Sequence, residues 1–126
     1  MRRYRAVVEI VSGGGGRDRL DPFLATLESN LYGMIYGSRQ PQVLAPLLVT
    51  AGWSARKAAW DEFEMTNEWC SFVLFSSGGQ VKLSGVITPD RLDDLSAALE
   101  ALGVGYELEV YTGRELVRQA AKGPFG

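Results

Sequence analysis

The chain has 126 residues, of which 46% are hydrophobic and 22% are charged, with a formal net charge of −2 and no histidine. This length suffices for one domain with a single buried core, so we expect residues 1–126 to form one domain. The slightly acidic balance excludes a general attraction to nucleic acids or anionic membranes, and no apolar run has membrane-spanning length. A single cysteine, Cys70, excludes an internal disulfide and predicts a cytoplasmic location.

The first residues predict a strand. Residues 4–10 alternate apolar and polar side chains, which is the period of a strand with one face more buried than the other. The run Gly13 to Gly16 follows, so a flexible turn separates this strand from the next element.

The glycine run allows a second interpretation. Backbone N–H groups of glycine-rich loops bind phosphates near helix N-termini. The run lacks both the following lysine with Ser or Thr and the dinucleotide spacing of such loops, so we interpret it as a connector. The alternative is an anion, nucleotide or other small-molecule site formed by Gly14, Gly15, Arg17 and Arg19.

The next segment predicts a helix over residues 22–36. Asp21 and Pro22 have the order of an N-cap and a first helical residue, and Gly37 is a suitable stop. Apolar residues recur at three- and four-residue steps in between. They are Phe23, Leu24, Leu27, Leu31, Met34 and Ile35.

The middle of the chain predicts antiparallel strands. Pro46 before the apolar run Leu47–Val49 indicates an edge strand, because proline cannot donate a ladder hydrogen bond. Three strands follow between Ala58 and Thr88, with two-residue turns at Asn67–Glu68 and Gly78–Gly79.

These turns fix the expected pairing of the three strands. The pairs are Phe63 with Phe72, Met65 with Cys70, Leu74 with Leu83, and Cys70 with Ile87. One face of the sheet is then almost wholly apolar. Residues 55–65 are also rich in good helix formers, but we prefer strand because the pairings agree across three segments.

The last third predicts a helix, a strand and a short helix. Thr88 and Pro89 mark the start of the first helix, whose leucine stripe ends before Gly103. Residues 106–110 alternate as a half-buried strand, and a capping box at Thr112 begins a short C-terminal helix.

These elements predict a two-layer α+β sandwich. Its sheet would be mostly antiparallel with about five to six strands, and two main helices would pack on one face to bury their apolar stripes.

The second face of the sheet predicts a binding surface. The expected pairing puts Trp60 opposite Phe75, on the same side as several acids. Aromatic anchors rimmed by carboxylates suit a partner protein with a basic surface. RNA-binding sheets are instead basic and carry a strand motif that this chain lacks, which disfavours nucleic acid. The predicted partner-binding residues are Trp60, Glu62, Glu64, Trp69, Val73 and Phe75.

The absence of histidine disfavours enzyme chemistry. Histidine is the commonest general base, it activates the nucleophile in Ser-His and Cys-His systems, and it is a ligand in nearly every catalytic zinc site. Four acids lie close together in Asp61, Glu62, Glu64 and Glu68 and allow a carboxylate-metal enzyme as an alternative. Such clusters are also common on solvated strand edges.

The sequence therefore predicts a non-enzymatic protein-binding module without cofactor or metal, such as a small inhibitor, an immunity-type protein or an adaptor. Besides the anion-binding and carboxylate-metal alternatives, the aromatic face could be covered by a helix of the same chain or buried in a homodimer.

Overall fold

The computed structural model describes residues 11–12, 19–37 and 39–123. Two α-helices lie in this part of the chain, α1 at Pro41–Thr50 and α2 at Leu92–Ala101, together with 3₁₀ turns at Leu24–Thr26 and Pro89–Arg91. The strands are β1 Val11–Ser12, β2 Leu31–Tyr36, β3 Ser54–Ala59, β4 Glu62–Thr66, β5 Cys70–Ser77, β6 Gln80–Ile87, β7 Gly105–Thr112 and β8 Glu115–Lys122.

These strands, all that the described residues form, belong to one sheet in the order β1-β3-β4-β5-β6-β2-β7-β8. The ladders from β2 to β8 are antiparallel, and the two-residue β1 pairs parallel with β3. The α+β class and the mostly antiparallel sheet are confirmed, with more strands than expected. The strand predicted at residues 4–10 and the run Gly13 to Gly16 lie outside the described residues.

The helix predicted over residues 22–36 is wrong. This segment forms one 3₁₀ turn and then β2, which pairs with β6 on one side and β7 on the other. Gly33 costs about 1 kcal/mol relative to alanine in a helix. In β2 it lies between Leu83 and Leu108, whose side chains would be 3.3 and 2.7 Å from a β-carbon at this position. The close packing of these two leucines over Gly33 favours the strand over the predicted helix.

The edge strand predicted at Leu47–Val49 is also wrong, because these residues belong to α1. Pro41 is a first-turn residue of this helix and Pro46 lies inside it. An interior proline costs a helix about 3 kcal/mol. The compensation is tertiary, since Leu44 and Leu48 of α1 are fully buried against the sheet.

Residues 55–65 are extended, as the strand prediction required, but they form a hairpin of two strands instead of one strand. β3 ends at Ala59, Trp60 and Asp61 make the turn, and β4 begins at Glu62. The strand predicted to run through Trp60 therefore begins later, and the first half of the segment is a separate strand paired with β4.

The β5–β6 hairpin has the predicted turn and pairing. Gly78 and Gly79 have φ of 61° and 80°, the positive values that a two-residue type I′ turn requires. Leu74 pairs with Leu83, and the pairing of Cys70 with Ile87 is likewise confirmed.

The predicted pairing of β4 with β5 is wrong by two residues. Phe63 pairs with Leu74 and Met65 pairs with Phe72. The cause is a longer turn, in which the Asn67 N–H donates to the carbonyl oxygen of Cys70 at 2.9 Å. Because the shift is even, the faces of the strands stay as predicted.

The last third matches the prediction except at its end. α2 and β7 form as expected, and Gly103 follows the helix with φ of 78°. The predicted C-terminal helix is instead β8, joined to β7 by a two-residue turn. Gly113 has φ of 61° at the first position of this turn, a positive value that suits a two-residue hairpin turn. The predicted capping box at Thr112 therefore does not start a helix.

The apolar sheet face and both helices form one buried cluster. Leu95 and Leu99 of α2 pack in this core with the helix α1 leucines and are fully inaccessible. Neither helix in the described part of the chain has the length and apolar character needed to cross a membrane.

Candidate functional site

The sheet face opposite the helices, hereafter the outer face, is covered at only one end by described residues. There Leu20 and Leu24, from the segment preceding β2, pack on Val86 of β6, with Leu27 beside them. The rest of the outer face is formed by alternate residues of the central strands, whose intervening neighbours point into the core.

A depression of about 320 Å³ lies in the uncovered part of the outer face. We call it the outer-face depression. Its lining residues come from strands β2, β5, β6 and β7, and they are Tyr32, Gly33, Met34, Phe75, Lys82, Leu83, Ser84, Glu107 and Glu109.

The strand pairing explains why these side chains meet. Met34 pairs with Lys82 of β6, which pairs in turn with Phe75 of β5, so the three lie in one row across the sheet. Tyr32 lies in the neighbouring row across the sheet, where it pairs with Ser84, and its side chain is 43% exposed. Its ring lies edge-on to that of Tyr111, with centroids 5.9 Å apart. Aromatic and methionine side chains thus form the apolar part of the depression.

Two carboxylates from β7 form its acidic rim. Glu107 pairs with Met34 and Glu109 pairs with Tyr32 across the β2–β7 ladder. The Tyr36 hydroxyl donates a hydrogen bond to Glu107, and the Tyr111 hydroxyl donates one to Glu109 at 2.9 Å. Each carboxylate is therefore oriented by a phenol, and it is exposed and has further lone pairs that can accept hydrogen bonds.

The two phenols that donate to this rim have raised pKa values. The hydrogen bond to the Glu107 carboxylate raises the pKa of Tyr36, and the hydrogen bond to Glu109 raises that of Tyr111, because each bond favours the protonated phenol. Both phenols therefore stay protonated donors at neutral pH.

Four of the predicted partner-binding residues lie on the strands of the outer face. Phe75 lines the depression, while Val73 and Glu64 pair with each other farther along the sheet. Glu64 forms an ion pair with Arg56 at 3.1 Å, with both side chains largely buried. Glu62 is half-buried and alternates with the buried Phe63.

The two predicted tryptophans lie elsewhere. Trp60 is in the β3–β4 turn, 76% exposed, with the Lys57 ammonium 5.2 Å from its ring centroid. The prediction that it opposes Phe75 is wrong, because the strand begins after it. Trp69 lies in the β4–β5 turn and packs on the core side, with its ring edge-on to Trp53 at 5.4 Å. The longer turn at Asn67 removes Trp69 from the outer face.

Arg19, the described member of the predicted anion site, binds protein groups. Its guanidinium donates to Glu68 at 2.9 and 3.1 Å and to the Gly52 carbonyl oxygen at 2.8 Å. These hydrogen bonds lower the pKa of the Glu68 carboxyl. The other members, Gly14, Gly15 and Arg17, lie outside the described residues, so the anion-binding alternative stays a prediction.

The four clustered acids do not converge. Asp61 is in the β3–β4 turn, whereas Glu68 lies in the next turn at the other end of β4 and pairs with Arg19. Within the described residues no group of three or more acidic or cysteine side chains could hold a metal ion.

The prediction from sequence missed Tyr32, Met34, Glu107 and Glu109. The first two lie in the segment predicted to be a helix, although Gly33 disfavours a helix and the tyrosines and Ile35 have high strand propensity. The two glutamates are polar positions of the strand predicted at residues 106–110, and only the β2–β7 pairing brings them beside the aromatics.

Comparison of the chain with protein-family models, with curated proteins and with solved structures finds no match.

Proposed function

We propose that the chain is a protein-binding module whose outer-face depression binds a basic, partly apolar segment of another protein. This activity would suit a small inhibitor, an immunity-type protein or an adaptor. The observation that carries the proposal is an aromatic surface that the described residues leave uncovered, with two oriented carboxylates on its rim, Glu107 and Glu109.

The apolar part would supply the affinity. Tyr32 and Phe75 are aromatic anchors, the residue class that dominates protein interfaces, and Met34, which lines the same depression, can adapt to irregular partners. The depression is near the lower limit of small-molecule sites, which enclose about 300 to 1,000 Å³. It opens on a strand face rather than within a cleft, so a protein side chain is the better occupant.

The acidic rim would supply selectivity and speed of encounter. A carboxylate already fixed by a tyrosine can accept a charge-assisted hydrogen bond from a lysine or arginine without further ordering. Glu107 and Glu109 would therefore favour a basic partner and accelerate its association at low salt.

Selection of displayed peptides on the immobilised full chain tests this proposal. We expect the enriched peptides to be rich in lysine or arginine next to apolar residues. Phe75→Ala or Tyr32→Ala should weaken the binding of such a peptide by about 2 kcal/mol or more, mainly through faster dissociation.

Glu109→Gln should instead slow association and reduce its salt dependence. Val43→Ala, which truncates an exposed apolar side chain of α1, is the matched control and should change neither rate. Thermal melts of each variant separate loss of binding from loss of folding. Enrichment of acidic peptides, or binding unaffected by the Phe75 and Tyr32 variants, would refute the proposal.

A further inference from the structure

Strand β8 ends the sheet with an exposed edge. It pairs with β7 alone, and no other strand of the described residues lies along its second side. It is eight residues long, contains no proline, and exposes Leu116 and Val117 by 42% and 43%. Long edges of this kind present unpaired N–H and C=O groups to which another strand can add.

A β-bulge sets the directions of the side chains along this edge. Val110 of β7 pairs with Arg118, but Tyr111 pairs with Leu116, so Val117 is an extra residue in the ladder. Gln119 and Leu116 consequently point to the outer face, although their spacing in an unbulged strand would put them on opposite faces. Any strand that adds to β8 must match this irregular alternation.

We propose that β8 pairs antiparallel with β8 of a second copy of the chain, about a two-fold axis at Gln119. When both strands carry the bulge at Val117, the register centred on Gln119 keeps every opposed pair on a common face. It sets Gln119 against itself, Arg118 against Ala120, Leu116 against Ala121, and Glu115 against Lys122.

Charge complementarity identifies the second copy as the occupant. Glu115 and Lys122 have no ion-pair partner among the described residues, and the symmetric register sets them opposite each other twice. Opposite charges facing each other across strands are favourable, and like charges are not. Arg118 donates hydrogen bonds to the Pro89 carbonyl oxygen and to the Asp93 carboxylate of α2. These bonds direct it towards α2 and away from the equivalent arginine of the second copy.

The side-chain sizes agree with the same register. Leu116 faces Ala121, so a large side chain meets a small one at both ends. At the axis the two Gln119 amides can exchange hydrogen bonds, because each amide has a donor and an acceptor. Strand pairing alone buries less area than a standard interface of about 1,600 Å², so we expect a reversible dimer that forms with increasing concentration.

Sedimentation velocity of the full chain over a range of concentrations tests the proposal. The wild type is compared with variants in which the charges of Glu115 and Lys122 are reversed. We expect the mass to approach twice 13.8 kDa at high concentration. Lys122→Glu and Glu115→Lys should each raise the dimer dissociation constant on the order of tenfold, because each variant turns both opposite-charge pairs into like-charge pairs. The double variant should restore dimerisation, and Asp61→Lys, a charge reversal in the β3–β4 turn at the other side of the sheet, should leave it unchanged.

Cysteine cross-linking tests the register independently. A cysteine at Gln119 would face its own copy at a separation that a disulfide spans, so oxidised Gln119→Cys should form a covalent dimer. Ala121→Cys is the matched control, because the two copies would be roughly 13 Å apart along the strands at about 3.3 Å per residue. A monomer at all concentrations, or a dimer that persists unchanged in Lys122→Glu, would overturn the proposal.

Discussion

Gly85 of β6 lies directly opposite Phe72 of β5, and a β-carbon at Gly85 would lie 2.5 Å from the Phe72 Cα and 2.0 Å from the Ser71 carbonyl oxygen. Contacts this short with backbone atoms cannot be relieved by a rotamer change. Glycine therefore allows the two central strands to approach closely, which holds the fully buried Phe72 in the core.

Gly85→Ala should consequently destabilise the protein by about 2 kcal/mol or more, at the upper part of the range for overpacked sites. Urea unfolding measures the loss. Ser84→Ala, a small change at the half-buried neighbour on the outer face, should stay within about 0.5 kcal/mol. Equal stability of the Gly85→Ala and Ser84→Ala variants would contradict the close approach of β5 and β6 at Gly85.

Leu95→Ala and Leu99→Ala should each cost about 2 to 5 kcal/mol, because both leucines are fully buried and each truncation leaves a cavity. Val43→Ala removes apolar atoms from an exposed helical position and serves as the control in the same urea melts. Losses under about 0.5 kcal/mol for both leucines would mean that α2 does not dock on the sheet.

The ion pair of Arg19 with Glu68 should make stability depend on pH in a defined direction. The hydrogen bond from Arg19 lowers the pKa of Glu68 in the folded state below its unfolded value. The pair therefore stabilises the fold above the ordinary glutamate pKa, and this contribution is lost as the pH falls through the lowered pKa. The stability difference between the wild type and Glu68→Gln should be present at neutral pH and vanish in acid. A difference that is unchanged in acid would exclude the pair.

Glu107→Gln should lower the pKa of Tyr36 towards the ordinary tyrosine value of about 10, because the charged acceptor that favours the protonated phenol is removed. Titration of the tyrosine ring signals by NMR measures the shift. Tyr111, whose hydroxyl donates to Glu109, is the internal control and should keep its raised pKa. No change at Tyr36 would contradict the orientation of the rim carboxylate.

Local signals predicted the fold where they agreed with the tertiary structure. Gly78 and Gly79 fixed one hairpin because a two-residue turn with positive φ has few alternatives. The apolar residues of the segment Leu31–Tyr36 recur at helical steps, and its packing between β6 and β7 selects the strand. The interior Pro46 argues locally against α1, which forms because the core buries its leucines.

The candidate site was predicted only in part for the same reason. Phe75 could be placed on the outer face from its own hairpin, whose register was correct. Tyr32 and Glu109 come from strands that are distant in sequence, and no local pattern indicates that β2 lies between β6 and β7. Trp69 was misplaced because the side-chain hydrogen bonding of Asn67 lengthened one turn.

Mapping a selected basic peptide on the ¹⁵N-labelled full chain by NMR tests the central claim most directly. We predict that the shifted amide signals cluster on β2, β6 and β7 around Tyr32, Lys82 and Glu107, and that the shifts weaken with added salt. Shifts that cluster instead in the cleft beside Trp53 and Trp69, on the helix side of the sheet, would contradict the account.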